Sequence, residues 1–299
     1  MTPRLTKRHE KPPRDPDRFV RVGLAPKTRA LLRRFELAPR KQLGQNFLVD
    51  EFVLGQIIEA ADLDRDDTVI EIGPGLGVLT TELAARCAAV YAIEVDPGMA
   101  RALRETLAET PNVTIVEGDA LEVEPGDVVG VRPYSVVANI PYHITSALLR
   151  HLFEARHPPA SIVVMIQLEV AQRVIAQPGD MNLLAVSVQF YGVPRLVGRV
   201  GANAFYPAPT VDSALLRVDR RPTPAVDVPT EPFFKTVSAG FAMRRKQIHN
   251  ALSERLWFPT NGAVDALTAV GIEPSRRAQT LSLDEWGALT RELIARGIV

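Results

Sequence analysis

Between residues 68 and 139, four short apolar runs recur, and each ends in a glycine turn or a single polar residue. The first is Thr68-Val69-Ile70-Glu71-Ile72, running into Gly73-Pro74-Gly75-Leu76-Gly77 and then a helical pattern through about Arg86. Val90-Tyr91-Ala92-Ile93 runs into Glu94, and Val113-Thr114-Ile115-Val116 runs into Gly118-Asp119. Tyr134-Ser135-Val136-Val137-Ala138 runs into Asn139. Runs this short that do not alternate read as buried parallel strands. Strand, glycine-rich turn and helix in succession predict an α/β fold with an open, mostly parallel sheet. In such sheets ligands gather at the carboxyl ends of the strands, where all these polar residues fall.

The glycine turn alone is a weak signal. Its GxGxG spacing puts Val78 where the dinucleotide fingerprint wants a third glycine or alanine, and no Gly-Lys-Ser/Thr follows to make a phosphate loop. The set is stronger than any member. Glycines such as Gly73 and Gly75 let the backbone approach a ligand. Glu94, 21 positions after Gly73, stands where an acid can bind ribose hydroxyls, and Asp119 can accept from an adenine amino group. Glu71, Glu94 and Asp119, with no nearby Lys or Arg, suit a positively charged nucleoside rather than phosphate. S-adenosylmethionine (SAM) fits that description. Asn139-Ile140-Pro141-Tyr142 then reads as a site for an exocyclic amine. The Asn139 side-chain carbonyl accepts a hydrogen bond, Pro141 fixes the direction of the Ile140 carbonyl, and Tyr142 offers a face for a base. The ordinary explanation of Glu94 and Asp119 is solvated loop acids, but four coincidences in order are costly.

Further strands are expected at Ser161–Ile166, Leu183–Phe190 and Ala214–Val218, making seven, and helices at 28–37, from about Asp50, 144–153 and 167–177. Phe205-Tyr206-Pro207-Ala208-Pro209 is a stiffened loop, and Phe205 is a candidate second plate opposite Tyr142, with burial under the sheet as the alternative. Past residue 224 no strand pattern remains; helices are expected at 231–242, 244–256, 262–270 and 284–296, the last behind a capping box at Ser282–Glu285. Arg244, Arg245, Lys246 and His249 are expected on one helix with Arg276 and Arg277 nearby, either as a solvated face or as a nucleic-acid backbone patch. The domain division expected is a basic, disordered extension over 1–26, a cofactor-binding domain over 27–222 and a small all-α domain over 223–299.

Charge is uneven in a chain of zero net charge: +9 over residues 1–41, −13 over 42–139 and +4 over 140–299. Basic segments of this kind hint at a polyanionic partner. No apolar run is long enough for a membrane span, the N-terminus lacks an apolar signal core, and the single Cys87 cannot form an internal disulfide; all three point to the cytoplasm. No metal site is expected.

Gln45-Asn46-Phe47-Leu48, Glu71-Ile72-Gly73-Pro74-Gly75, Asn139-Ile140-Pro141-Tyr142 and Phe205-Tyr206-Pro207-Ala208-Pro209 together resemble the rRNA adenine N6-dimethyltransferases. Phe241–Asn250 and Arg277–Ser282 are similar to the KsgA/RsmA branch, which modifies small-subunit (16S) rRNA. The resemblance covers about residues 27–297. It implies a Rossmann-like SAM-dependent methyltransferase that transfers four methyls to two adjacent adenines in a hairpin loop near the 3′ end of 16S rRNA. Asn46, Leu48, Gly73, Glu94, Asp119 and Asn139 would then line the SAM site. Its expected partner is the small ribosomal subunit, met as a monomer. Ile140 stands where leucine is commoner, and relatives acting on 23S rRNA often carry isoleucine there, so position 140 does not choose the branch. Within the enzyme class, the 23S branch and protein or DNA N-methyltransferases are the alternatives. A ribosome-assembly factor is the non-enzyme alternative.

Overall fold

The computed structural model describes residues 23–299; the extension over 1–22 lies outside the described residues. The chain opens with α1 (Leu24–Arg34), so the expected boundary at 26/27 falls inside a helix. β1 (Phe47–Leu48) and α2 (Glu51–Ala61) follow. Asp50 caps α2 by accepting from the backbone N–H groups of Phe52 and Val53. The central unit is then β2 (Thr68–Ile72), α3 (Val78–Ala84), β3 (Ala89–Glu94), α4 (Pro97–Thr106), β4 (Val113–Glu117), α5 (Pro125–Val129), β5 (Ser135–Asn139), α6 (Thr145–Glu154) and β6 (Ser161–Gln167). α7 (Leu168–Val174), α8 (Leu183–Tyr191), β7 (Gly192–Val200), β8 (Phe205–Tyr206) and β9 (Ser213–Arg220) complete it. The C-terminal part is α9 (Thr230–Phe241), α10 (Ile248–Arg255), α11 (Gly262–Ala269) and α12 (Leu283–Ala295).

Seven strands form one sheet in the order β4-β3-β2-β5-β6-β9-β7, the last two joining antiparallel. β3 and β4 lie to one side of β2, and β5 to the other. The strand order therefore reverses between β2 and β5, and Ile72 faces Ala138 in their register. A crevice at such a reversal is where ligands bind in open α/β sheets. It opens beside Gly73 and Asn139: a Cβ on Gly73 would lie 3.5 Å from the Asn139 carbonyl oxygen.

The expected strand over Leu183–Phe190 is α8, and the strand filling its place is β7. An apolar segment buried on most sides carries no period that separates helix from strand. Asn182 decides locally, since its side chain caps α8 by accepting from the Ala185 N–H. β7 contains Pro194 and lies at the sheet edge, where a missing N–H is tolerated.

α8 belongs to two cores. Val188 packs into the sheet core with Leu148, Leu152 and Val218, whereas Ala185, Val186 and Phe190 pack into the helical core with Phe233, Leu252 and Trp286. Tyr191 stacks on Phe153 at 5.6 Å, and Phe190 stacks on Phe233 at 4.5 Å. The capping box on α12 forms as expected, Ser282 and Glu285 each accepting the other's backbone N–H. The basic cluster is placed differently. α10 begins only at Ile248, so Arg244, Arg245 and Lys246 lie on the turn after α9, and of the expected group only His249 is on the helix.

Candidate functional site

The cleft at the β2/β5 reversal opens to solvent, and the atom-free space there, open solvent included, is about 1090 Å³. Its lining contains Asn46, Leu48, Glu71, Gly73, Gly75, Glu94, Asp119, Asn139, Ile140, Pro141, Tyr142 and Phe205, so every expected cofactor and catalytic position meets here. Among the described residues no Lys or Arg lines it.

The glycine turn forms one wall. Gly73 and Gly75 have φ of +69° and +57°, conformations that disfavour side chains. A Cβ on Gly75 would also sit 3.1 Å from the Phe47 ring. Glu94 holds this turn: it is buried, and its Oε2 accepts from the Gly75 N–H at 3.1 Å while its Oε1 accepts from the Asp96 N–H at 2.9 Å. Burial raises its pKa, and these two backbone bonds offset the rise only in part. Asp119, by contrast, is exposed and accepts from the Leu121 N–H with one oxygen.

Glu71 is the unusual group. It is 1% exposed, and among the described residues neither its Oε2 nor the Thr80 hydroxyl beside it has a partner in good hydrogen-bonding geometry, so the two polar groups face only each other. Burial lifts its pKa to about 8; the Thr80 hydroxyl offsets part of that rise and Glu94 adds a smaller push upward. Across the window from 4.5 to about 8 the unfolded chain ionises this carboxyl while the folded chain keeps its proton. Stability therefore falls as pH rises through that window. The melting temperature of the ligand-free protein is expected to decline between about pH 5 and 8, and Glu71→Gln is expected to flatten the decline. Identical slopes for the two proteins would show that Glu71 is ionised when folded.

The opposite wall is the segment from Leu43 to Leu48. Sequence periodicity shows a turn there, but Phe47–Leu48 pairs with Tyr206–Phe205 as a two-stranded ribbon, β1 with β8. This pairing brings Phe205 to the cleft. Phe205 is 5% exposed and packs among Leu48, Val53 and Ala204, so much of its ring is committed to the core. Asn139 reaches the same wall: its Nδ2 donates to the Asn46 carbonyl at 3.1 Å, leaving Oδ1 as the acceptor available to a ligand. The Ile140 side chain is buried, so what it can offer the cleft is backbone. The Tyr142 hydroxyl bonds the Ser213 hydroxyl at 2.6 Å, tying its ring to the start of β9. Sequence reasoning passed over Ser213 because its partner lies 71 positions away.

Among the basic residues, Arg276 is not free to meet a ligand. It is clasped by both Glu285 oxygens and by the Thr280 hydroxyl and carbonyl, and it braces the start of α12. Arg244, Arg245, Lys246 and Arg277 are exposed. They are neighbours because Ile248 N–H bonds the Arg276 carbonyl at 2.7 Å and His249 bonds Pro274. Among the described residues no cluster of His, Cys, Asp and Glu has the makings of a metal site, and no helix is long and apolar enough to cross a membrane.

A buried carboxyl, two further acids, no basic side chain among the described residues and a glycine turn open to close approach fit a cationic nucleoside. The fold and the site thus define a Rossmann-like, SAM-dependent methyltransferase. The family model described as ribosomal RNA adenine dimethylase matches residues 37–295, and the chain belongs to that family. A relative from Dehalococcoides mccartyi (strain ATCC BAA-2100) named "Ribosomal RNA small subunit methyltransferase A" is 45% identical over 90% of this chain and 94% of its own. One of the same name from Moorella thermoacetica is 45% identical, covering 91% and 98%. Among solved structures, the 23S rRNA methyltransferase ErmE is 32% identical with a TM-score of 0.68, covering 83% of this chain and 100% of its own. A dimethyladenosine transferase from Plasmodium falciparum is 25% identical with a TM-score of 0.72, covering 84% and 98%.

Proposed function

We propose that this chain, acting in the cytoplasm as a monomer, dimethylates N6 of two adjacent adenines in the 3′-terminal hairpin loop of 16S rRNA. The observation that carries the chemistry is Asn139 at the strand reversal, with Nδ2 anchored and Oδ1 free for a donor. The small-subunit branch is supported by the long, 45% identical matches to small-subunit methyltransferases.

An unpaired loop adenine is extruded at low cost. Tyr142, its hydroxyl fixed by Ser213, provides the stacking face, with the accessible edge of Phe205 closing the far side. Asn139 Oδ1 and the Ile140 carbonyl accept hydrogen bonds from the N6 amino group, which turns the nitrogen lone pair toward the methyl donor. Each transfer leaves a cationic nitrogen that gives up one proton to solvent at the open cleft. In the second transfer the one remaining N–H keeps one of these bonds. Glu71, Glu94 and Asp119, with the backbone of Asn46, Leu48, Gly73 and Gly75, would hold SAM, which supplies an electrophilic methyl on a sulfonium that leaves as a neutral thioether. Positioning is then the main contribution of the protein.

The exposed turn Arg244-Arg245-Lys246, with Arg277, would bind RNA backbone. Replacing the three turn residues with alanine is expected to make the dependence of log affinity on log salt shallower by about 2–3. An unchanged slope would remove the turn from the interface. The function is tested by transferring labelled methyl from SAM to unmodified small subunits and, separately, to 23S RNA, and mapping the label. Dimethyladenine at the adjacent 16S positions is expected; label confined to 23S RNA would overturn the branch.

A further inference from the structure

Asp96 lines no part of the cleft, yet both walls depend on it. Its side chain is 1% exposed. One oxygen, Oδ1, caps α4 by accepting from the Gly98 and Met99 N–H groups at 2.9 and 3.4 Å. The other, Oδ2, accepts from Gln45 Nε2 at 3.2 Å and lies 3.3 Å from Arg40 Nε. Gln45 in turn accepts the Arg40 backbone N–H at 2.8 Å through Oε1. The backbone N–H of Asp96 donates to the same Glu94 carboxylate that holds Gly75. The side-chain contacts fasten the Arg40–Gln45 segment; the backbone contact fastens the glycine turn. Phe47, two residues beyond Gln45, packs with Leu76 and Met99 between them.

We propose that Asp96 is a positioning residue for cofactor binding, clamping the Leu43–Leu48 wall of the cleft, through Gln45 and the Arg40 that leads into it, to the glycine-turn wall. It acts through Gln45 and Glu94 and touches neither substrate nor cofactor. The proposal rests on SAM occupying this cleft, which titration of the wild-type protein establishes separately.

A helix cap alone would also make Asp96 sensitive to substitution, so the test keeps the cap. Asp96→Asn retains an oxygen for Gly98 and Met99 but turns an amide N–H₂ toward the Gln45 and Arg40 donors. Gln45→Glu leaves Asp96 and α4 untouched but sets two carboxylates against each other. Each is expected to weaken SAM binding, measured calorimetrically, by about tenfold. KM for SAM should rise in parallel, while kcat and KM for RNA stay within about twofold. The double variant Gln45→Glu/Asp96→Asn reverses the polarity of the contact, so that the new carboxylate accepts from the new amide and still accepts the Arg40 N–H. It is expected to recover SAM affinity to within about threefold of wild type. Unchanged affinity in both single variants would overturn the proposal, and so would a double variant no better than Asp96→Asn. A wild-type protein that binds no SAM would instead overturn the assignment of the cleft.

Discussion

Replacing Asn139 with alanine is expected to lower methyl transfer by about 10²–10³-fold at saturating SAM and RNA. That is the cost of deleting one preorganised hydrogen-bonding group from a reacting centre. The alanine leaves β5 and its pairing with β2 and β6 intact, because those bonds are backbone. It removes the free Oδ1, the group that would orient the amine. It also removes the Nδ2 anchor on the Asn46 carbonyl. SAM affinity should therefore fall too, but by less than about tenfold, the value of one neutral hydrogen bond. Single-turnover rates on small subunits, set beside calorimetric SAM affinities, separate the two effects. A turnover rate within about threefold of wild type would remove Asn139 from the chemistry.

The second large effect is on stability. Trp286→Ala is expected to cost the helical core about 3–5 kcal/mol, the range for deleting a large buried aromatic. Trp286 is fully buried, with Phe241 5.6 Å away. It also fills the space opposite Gly240, where an added Cβ would collide with its ring. Among the described residues the indole Nε1 has no hydrogen-bond partner. Trp286→Phe gives up packing volume but no hydrogen bond, so it should cost less than half as much. Denaturant melts of the two variants decide the matter: equal losses would mean that the indole N–H carries energy the geometry does not show.

What the sequence revealed follows from the range of the interactions involved. β2, β3, β4 and β5 were legible because each is a self-contained apolar run with its polar residue at the end. The capping box at Ser282 was legible because a capping side chain and its target lie within three residues. α8 was misread because its burial comes from two cores, which erases the helical stripe. β1 and β8 are two residues each and exist only through their pairing with each other, 157 and 159 positions apart, so no local period could announce them. The site residues were visible as chemical types, yet their states were not. Glu94 spends both oxygens on backbone, Phe205 is largely core, and Arg276 is a brace on α12. Asp96 and Ser213 carried no signal, because their importance lies in partners distant along the chain.

The double allegiance of α8 has a consequence for building hybrids. A scissor cut near residue 222 looks natural, since the last strand ends at Arg220. It would leave the Ala185–Val186–Phe190 face on the first fragment, stripped of Phe233 and Trp286 and open to water. The sheet half would become sticky, and the helical half would lose a side of its interior. Grafting a different helical lobe onto this sheet therefore means transplanting the matching surface of α8 with it. The same coupling would tie the evolutionary drift of the two halves together, each constraining which substitutions the other can accept.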